Sequence, residues 1–177
     1  MPPSKRLKNM ATVQERTDTS GADTSWSAAI EVAYQRRAVH LWEYGRRLGL
    51  DPGTAEDATQ EVFARALHLV LGRRPGNLDA WLFRSLHNHA MDRHRKARRV
   101  QLVDLNEPSA GPDDARRLDL WQEVDHLPLR QRQAVYLRYR ADLDFPAIAS
   151  VLGITESGAR ANVFRAMATL RERVIQR

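Results

Sequence analysis

Apolar residues recur at helical spacing along this chain of 177 residues, and no segment shows the strict apolar–polar alternation of a half-buried strand. Leu78, Trp81, Leu82 and Leu86, for example, follow one another at i, i+3, i+4 and i+8, so they share one face of a helix. This periodicity predicts an all-α fold. We expect helices over residues 26–48, 54–70, 77–99, 114–124, 128–140, 144–152 and 156–175, the second of them opening on a capping-box-like run at Thr54.

The composition divides the chain into two predicted domains. Residues 1–24 are polar and charged, with too few apolar positions to offset the entropy of ordering, so they predict a disordered tail in which Met10 is an alternative start to Met1. Residues 100–113 combine prolines, a glycine and carboxylates, which is typical of a flexible acidic linker. The prediction is two small helical domains, at residues 25–99 and 114–177, joined by that linker.

The cysteine count and the longest apolar runs exclude several classes of protein. Without cysteine the chain has no disulfide framework, thiolate nucleophile or cysteine-based metal site. No apolar run approaches the roughly 20 residues that a bilayer span needs, and the N-terminus has no apolar signal core. We therefore expect a cytoplasmic protein that does not insert into a membrane.

The net charge of +6 is unevenly distributed. Residues 84–99 contain six basic residues and one acidic residue, and residues 157–177 contain five and one. Residues 100–127 contain seven acidic residues and two basic ones. Two basic helices separated by an acidic segment favour a polyanionic partner such as nucleic acid.

The segment from Phe145 to Ala166 has the pattern of a helix-turn-helix. A first helix with buried Ile148 and Leu152 is followed by Gly153, which permits the positive φ of a tight turn, and then by a second helix. In this motif the second helix lies in the major groove, and arginine and asparagine side chains can bind guanine and adenine edges. An ordinary helical hairpin with solvated arginines is the alternative. The outward candidates are Ser157, Arg160, Ala161, Asn162 and Arg165, with Arg160 and Asn162 as the candidates for direct base readout.

The basic run Arg93–Arg99 has two interpretations. Its side chains could bind phosphates, in which case each contact releases counterions and makes the affinity depend on salt. Alternatively, the run is a solvated helix end whose cations offset the negative end of the helix dipole. The sequence leaves both open.

Two clusters that resemble catalytic motifs do not have the geometry for catalysis. The run Leu86-His87-Asn88-His89 has the letters of a nuclease motif, but two histidines two positions apart on a helix point about 200° apart and cannot bind one metal. Glu56, Asp57 and Glu61 form an acidic patch without a neighbour that would raise the pKa of one carboxylate above another. We expect no metal, no cofactor and no enzymatic activity.

Six sequence blocks follow one another along the chain, at Ala55–Phe63, Ala80–Arg84, Asn88–Arg95, Leu127–Gln133, Leu137–Tyr139 and Ile148–Thr155. In this order and spacing they resemble a bacterial RNA polymerase sigma factor of the extracytoplasmic-function (ECF) type. The resemblance covers about residues 26–175. It implies a region-2-like domain at residues 25–99, which binds core polymerase and the minus-ten element, and a region-4-like helix-turn-helix domain at residues 114–177, which binds the minus-thirty-five element.

The resemblance also implies partners and contact residues. The partners are core RNA polymerase, through its clamp coiled coil and its flap, promoter DNA, and an anti-sigma factor. Asp57, Gln60 and Glu61 fall where the family docks on the clamp, and the acidic linker would follow the RNA-exit path. Trp81 falls at a position that we assign to the core. The implied DNA-binding residues are Asn77, Asn88, Arg93, Arg95, Arg98 and Arg99 in the first domain and Ser157, Arg160, Asn162 and Arg165 in the second.

The recognition helix departs from the family's usual pattern at two positions. Gly158 replaces a β-branched residue, which loosens the start of the helix, and Asn162 replaces an arginine. These changes favour an unusual promoter specificity or weakened DNA binding. They leave two alternatives, a sigma-like decoy that occupies an anti-sigma factor without binding DNA and a plain dimeric helix-turn-helix regulator.

Overall fold

The computed structural model describes the backbone of residues 5–69, 73–100 and 115–175, and the side chains of residues 21–69, 73–97, 120–173 and 175. These ranges contain helices and connecting turns and no strand, so the predicted all-α fold is confirmed. The helices are α1 (Lys5–Arg47), α2 (Pro52–Leu67), α3 (Leu78–Val100), α4 (Ala115–Asp125), α5 (Leu129–Tyr139), α6 (Phe145–Leu152) and α7 (Glu156–Ile175). None of the helices in these ranges is long and apolar enough to cross a membrane.

Short polar side chains fix the starts of α2 and α3. The Asp51 carboxylate accepts a hydrogen bond from the backbone N–H of Thr54 at 3.0 Å, and Pro52 occupies the first turn, where its missing N–H costs nothing. The predicted start at Thr54 is therefore wrong, because the cap lies three residues earlier. Asn77 caps α3, since its Oδ1 accepts from the N–H of Ala80 at 2.9 Å.

Helix α1 begins earlier than the sequence predicted. Its backbone is helical from Lys5, whereas residues 1–24 were expected to form a disordered tail. No proline interrupts the chain between Pro3 and Pro52, so nothing in this stretch forces the helix to end. Near its middle, α1 is held by Arg74, which donates to the carbonyl of Ala22 at 3.0 Å.

The helices form two groups, each with buried apolar faces. In the first group, α2 and α3 pack on α1, and Leu41, Val62 and Phe83 are fully or almost fully buried between them. In the second group, α5, α6 and α7 pack around Leu137 and Ile148. A smaller cluster below α4 joins that helix to α5 and α7, and its buried members are Val124, Leu127, Val135, Ala166 and Leu170.

The two groups are packed against each other and share one continuous hydrophobic core. Tyr136 of α5 stacks on Tyr44 of α1, with ring centroids 5.4 Å apart. The Tyr136 hydroxyl lies 2.9 Å from the carbonyl of His40 and 2.8 Å from the carboxylate of Glu43, which also binds Arg140 at 2.7 Å. Sequence patterns gave no sign of this contact. The linker was predicted at residues 100–113, but Val100 is the last residue of α3, and residues 101–113 lie outside the described residues. The domain boundaries stay predictions.

Candidate nucleic-acid interface

Helices α6 and α7 and the turn between them have the geometry predicted from the sequence. Asp144 begins α6 by accepting a hydrogen bond from the N–H of Ala147 at 2.9 Å. Gly153 ends the helix with φ 63° and ψ 41°, a left-handed conformation that glycine adopts without steric cost. The N–H of Ile154 then donates to the carbonyl of Ala149 at 3.1 Å and closes the turn.

Helix α7 is fixed at its start and along its inner face. The Thr155 hydroxyl oxygen accepts from the N–H of Gly158 at 3.1 Å, which satisfies one of the free donors of the first turn. Arg130 of α5 donates to the carbonyl of Leu152 at 3.0 Å and ties α5 to the end of α6. The inner face is buried through Ala159, Val163, Ala166 and Leu170, so the opposite face of α7 is turned to solvent.

The predicted base-reading residues on α7 differ in what they contact. Ser157, Arg160 and Arg165 are exposed. The Arg160 guanidinium binds Glu156 at 2.6 Å and lies 4.4 Å from the centroid of the Phe145 ring, which holds it at one side of the helix. Asn162 is half-buried, and its Nδ2 donates to the carbonyl of Gly158 one turn earlier at 2.9 Å. Asn162 is therefore engaged with its own helix.

Phe164 is an exposed aromatic residue that the sequence analysis did not select. Its side chain is 77% exposed, although aromatic rings in a folded domain are usually buried at least in part. A helical wheel would have found it, because positions 157, 161 and 164 lie on one face at 100° per residue. The outward candidates chosen from the sequence were Ser157, Arg160, Ala161, Asn162 and Arg165, and Phe164 was not among them.

In the first group of helices, Asn77 is exposed and lines two clefts. One, of about 580 Å³, lies between α1 and the start of α3 and includes Val32 and Arg36. The other, of about 350 Å³, lies between the two groups of helices and is bordered by Trp81 and Ser150. Trp81 is half-buried against the core, as expected, and also borders this second cleft.

The other predicted DNA-binding residues of this group lie along α3. Asn88, Arg93 and Arg95 are exposed, and Arg95 pairs with Asp92. Residues seven positions apart on a helix share a face, so Asn88 and Arg95 lie together and Arg93 lies about 140° away. The side chains of residues 98 and 99, the predicted Arg98 and Arg99, lie outside the described residues.

The residues predicted to bind polymerase form one exposed face of α2. Asp57, Gln60 and Glu61 are all exposed, and their i, i+3 and i+4 spacing places them side by side. Glu61 is partly neutralised by Arg65 at 3.0 Å and lies 3.4 Å from Nδ1 of His89. The face therefore keeps a negative charge beside an amide, as a basic partner would require.

The buried histidine of α3 belongs to the core. His87 is 5% exposed, and its Nδ1 lies 3.0 Å from the Tyr44 hydroxyl. Burial, with a smaller effect from the charge of Arg130, lowers the pKa of His87 to about 4. Among the described residues, no three His, Asp or Glu side chains lie close enough together to hold a metal ion.

Comparison with known families accounts for both groups of helices. Sigma-70 region 2 matches residues 33–100, and sigma-70 region 4 matches residues 117–170. The chain belongs to the sigma-70 family. Its relatives include proteins of the ECF type, so the resemblance found in the sequence is confirmed for this sigma factor.

Three relatives show the extent of the similarity. The ECF RNA polymerase sigma factor SigE of Mycolicibacterium smegmatis is 28% identical over 172 residues, which cover 90% of this sigma factor and 65% of SigE. The sigma factor SigV of Bacillus subtilis is 29% identical over 66% of this chain and 74% of its own. BldN of Streptomyces coelicolor, another ECF sigma factor, is 30% identical over 66% of this chain and 49% of its own. This sigma factor thus spans just under two thirds of SigE and about half of BldN.

A solved structure shares the fold. CnrH, determined in complex with the cytosolic domain of CnrY, superimposes with a TM-score of 0.59 at 24% identity. The superposition covers 89% of this sigma factor and 95% of CnrH, so it includes both groups of helices.

Proposed function

We propose that this protein acts as an ECF sigma factor, which binds core RNA polymerase, recognises a promoter at two elements and opens the start site without hydrolysing a nucleotide itself. The observation that carries the proposal is the presence of both sigma-70 regions in one chain, the second of which contains the helix-turn-helix formed by α6, Gly153 and α7. Sigma factors are regulators and not catalysts, which agrees with the absence of a catalytic constellation in the sequence.

The second domain, at residues 114–177, would bind the minus-thirty-five element through α7. Its outer face carries Ser157 and Arg165, with Arg160 and Asn162 at its sides, so this face can contact both base edges and phosphates. The arginines would supply affinity that falls with salt, because each phosphate contact releases counterions.

The first domain, at residues 25–99, would bind the minus-ten element around Asn77 and along α3. An unstacked base costs a few kcal/mol to extrude, and a preformed cleft offsets part of that cost. The 580 Å³ cleft beside Asn77 has an apolar wall that includes Val32, and Arg36, which pairs with Asp79 at 3.4 Å, lies at its edge. Asn88, Arg93 and Arg95, with Arg98 and Arg99 further along α3, would bind the DNA backbone next to it.

The exposed face of α2 formed by Asp57, Gln60 and Glu61 would dock on the basic coiled coil of the polymerase clamp, and the second domain would bind the flap. The acidic linker at residues 100–113 would follow the RNA-exit path, where carboxylates take the place of phosphates. Charge complementarity of this kind speeds association and fixes the register of the complex.

Promoter binding would require the two groups of helices to separate. The two promoter elements are about 25 base pairs apart, or roughly 85 Å of duplex at about 3.4 Å per base pair. In the packed arrangement α6 lies directly on α3, and Tyr136 is inserted against Tyr44. Core polymerase would therefore bind an opened form of the chain.

A regulator that stabilises the packed arrangement would keep the protein inactive. CnrH was solved in complex with the cytosolic domain of CnrY, and the superposition on CnrH includes both groups of helices. We propose a protein partner of this kind, an anti-sigma factor, for this chain as well.

The polymerase contact can be tested by substitution on α2. Replacing both Asp57 and Glu61 by Ala should weaken binding to core polymerase about tenfold, because two carboxylates leave the face that meets a basic coiled coil. Glu31→Ala removes an exposed carboxylate from α1 and should leave core affinity unchanged. Equal losses in all variants, or none in the double variant, would contradict this docking face.

Footprinting of the reconstituted holoenzyme on selected promoters tests the function as a whole. Protection of two separated elements supports a sigma factor. Binding to core without any DNA protection would instead indicate a decoy, and self-association with protection of a palindrome would indicate a plain regulator. Failure to bind core at all would refute the proposal.

A further inference from the structure

The outer face of α7 is centred on small and apolar residues. The buried residues Ala159, Val163 and Ala166 define the inner side, and Ser157 and Ala161 lie opposite them. At 100° per residue, Phe164 lies about 50° from the centre of the outer side. Because Ser157 and Ala161, at the centre of this face, are small, the ring projects beyond them.

Phe164 and Asn162 cannot both occupy the centre of a groove-facing surface. Residues two positions apart on a helix are separated by 200° around its axis, so the side chains of Asn162 and Phe164 lie on nearly opposite sides of α7. Asn162 is half-buried and donates to its own backbone, whereas Phe164 is 77% exposed. Of the two, Phe164 lies on the side that the motif presents to DNA.

The surroundings of Phe164 favour DNA as its partner. The arginines Arg160, Arg165 and Arg171 flank it, and all three are exposed. A ring between guanidinium groups suits a surface that offers apolar contacts between rows of phosphates, as the major groove does where the C5-methyl groups of thymine line it.

We propose that Phe164 is a specificity-determining residue of this sigma factor, which contacts the C5-methyl group of a thymine in the minus-thirty-five element. Arg160 and Arg165 then position the helix by their charge, and Asn162 stabilises the first turns of α7. This inference rests on the proposed function, since it requires α7 to enter the major groove.

Replacing thymine by deoxyuridine tests the contact, because the substitution removes the methyl group and leaves every hydrogen-bonding group in place. Holoenzyme is assembled from core polymerase and the full chain, and its affinity is measured on a selected promoter with each thymine of the upstream element replaced in turn. We expect one position at which deoxyuridine weakens binding about threefold to fivefold, as the loss of one buried methyl group predicts. With Phe164→Ala, overall affinity should fall about tenfold, and thymine and deoxyuridine should bind equally at that position.

Ile175→Ala is the matched control. Ile175 is 76% exposed on the same helix, but it lies 11 residues further along, about 16 Å from Phe164. It should keep the wild-type affinity and the wild-type preference for thymine. Phe164→Leu, which retains an apolar side chain, should keep part of that preference.

Three results would overturn the inference. A holoenzyme that binds promoters with no thymine preference dependent on Phe164 would refute the methyl contact and leave the proposed function intact. If Phe164→Ala weakened binding to core polymerase and not to DNA, Phe164 would be a protein-docking residue. If the holoenzyme bound no promoter at all, the proposed function would fail together with this inference.

Discussion

Protonation of His87 should make the protein less stable in mild acid. The ring is buried between α1 and α3, beside the Tyr44 hydroxyl, and burial together with the charge of Arg130 lowers the pKa of His87 to about 4. In the unfolded chain the same ring titrates near 6.5. Between these two values the unfolded state binds more protons than the folded state, so the free energy of unfolding falls as the pH is lowered through this window.

The size of the effect follows from the difference between the two pKa values. Each unit corresponds to about 1.4 kcal/mol, so a pKa that falls from 6.5 to about 4 contributes about 3–4 kcal/mol in full. That is a large fraction of the free energy of unfolding of a natural domain, which is about 5–15 kcal/mol.

Glu43 titrates in a separate window at lower pH. Burial alone would raise its pKa, but hydrogen bonds from Arg140 and Tyr136 hold it below its ordinary value.

Urea unfolding at pH 7, 5.5 and 4.5, followed by tryptophan fluorescence, measures the slope. The wild type should lose about 2–3 kcal/mol over this range, and His87→Gln should be less stable at pH 7 but lose much less on acidification. His126→Gln changes an exposed histidine and should follow the wild-type slope. The reasoning would be refuted if the wild type and His87→Gln lost stability in parallel, or if NMR showed the His87 ring titrating near pH 6.5.

Two further substitutions test the packing of the fold. Tyr136→Phe removes the hydroxyl that bridges the two groups of helices and should lower the free energy of unfolding by about 1–2 kcal/mol in chemical denaturation. Tyr139→Phe, at an exposed position on the same helix, should change it by less than about 0.5 kcal/mol. Equal effects would show that the bridge adds nothing. Gly153→Ala should lower the free energy of unfolding by about 1–2 kcal/mol in thermal unfolding, because alanine is strained at φ 63°. Gly76→Ala, in open space and without positive φ, serves as its control. An unchanged melting temperature for Gly153→Ala would contradict the left-handed turn.

Local patterns in the sequence were sufficient to predict the helices and the helix-turn-helix. Apolar spacing is a property of neighbouring residues, so it located α3 and the pair α6–α7 to within a few residues. The glycine at position 153 was expected to take a positive φ, and it does. The start of α2 was missed because Asp51 and Thr54 are both competent caps, and only the backbone shows which of them accepts the hydrogen bond.

The contact between the two groups of helices could not be predicted in this way. Glu43 and Arg140 are 97 residues apart, and a charged residue on an amphipathic helix is normally assigned to solvent. The same limit applies to α7, where residue type alone favoured Asn162 over Phe164. In the structure Phe164 is exposed and Asn162 donates to its own helix, and our proposal for Phe164 rests on this difference, which residue type does not reveal.

The central claim is that this chain directs core RNA polymerase to specific promoters. The most direct measurement is sequencing of the transcripts made by purified core enzyme with this protein on fragmented genomic DNA of its own bacterium. The account predicts discrete start sites that are absent with core alone and that share two upstream elements at the minus-ten and minus-thirty-five positions. Transcripts no different from those of core alone, from a chain that binds core, would contradict it.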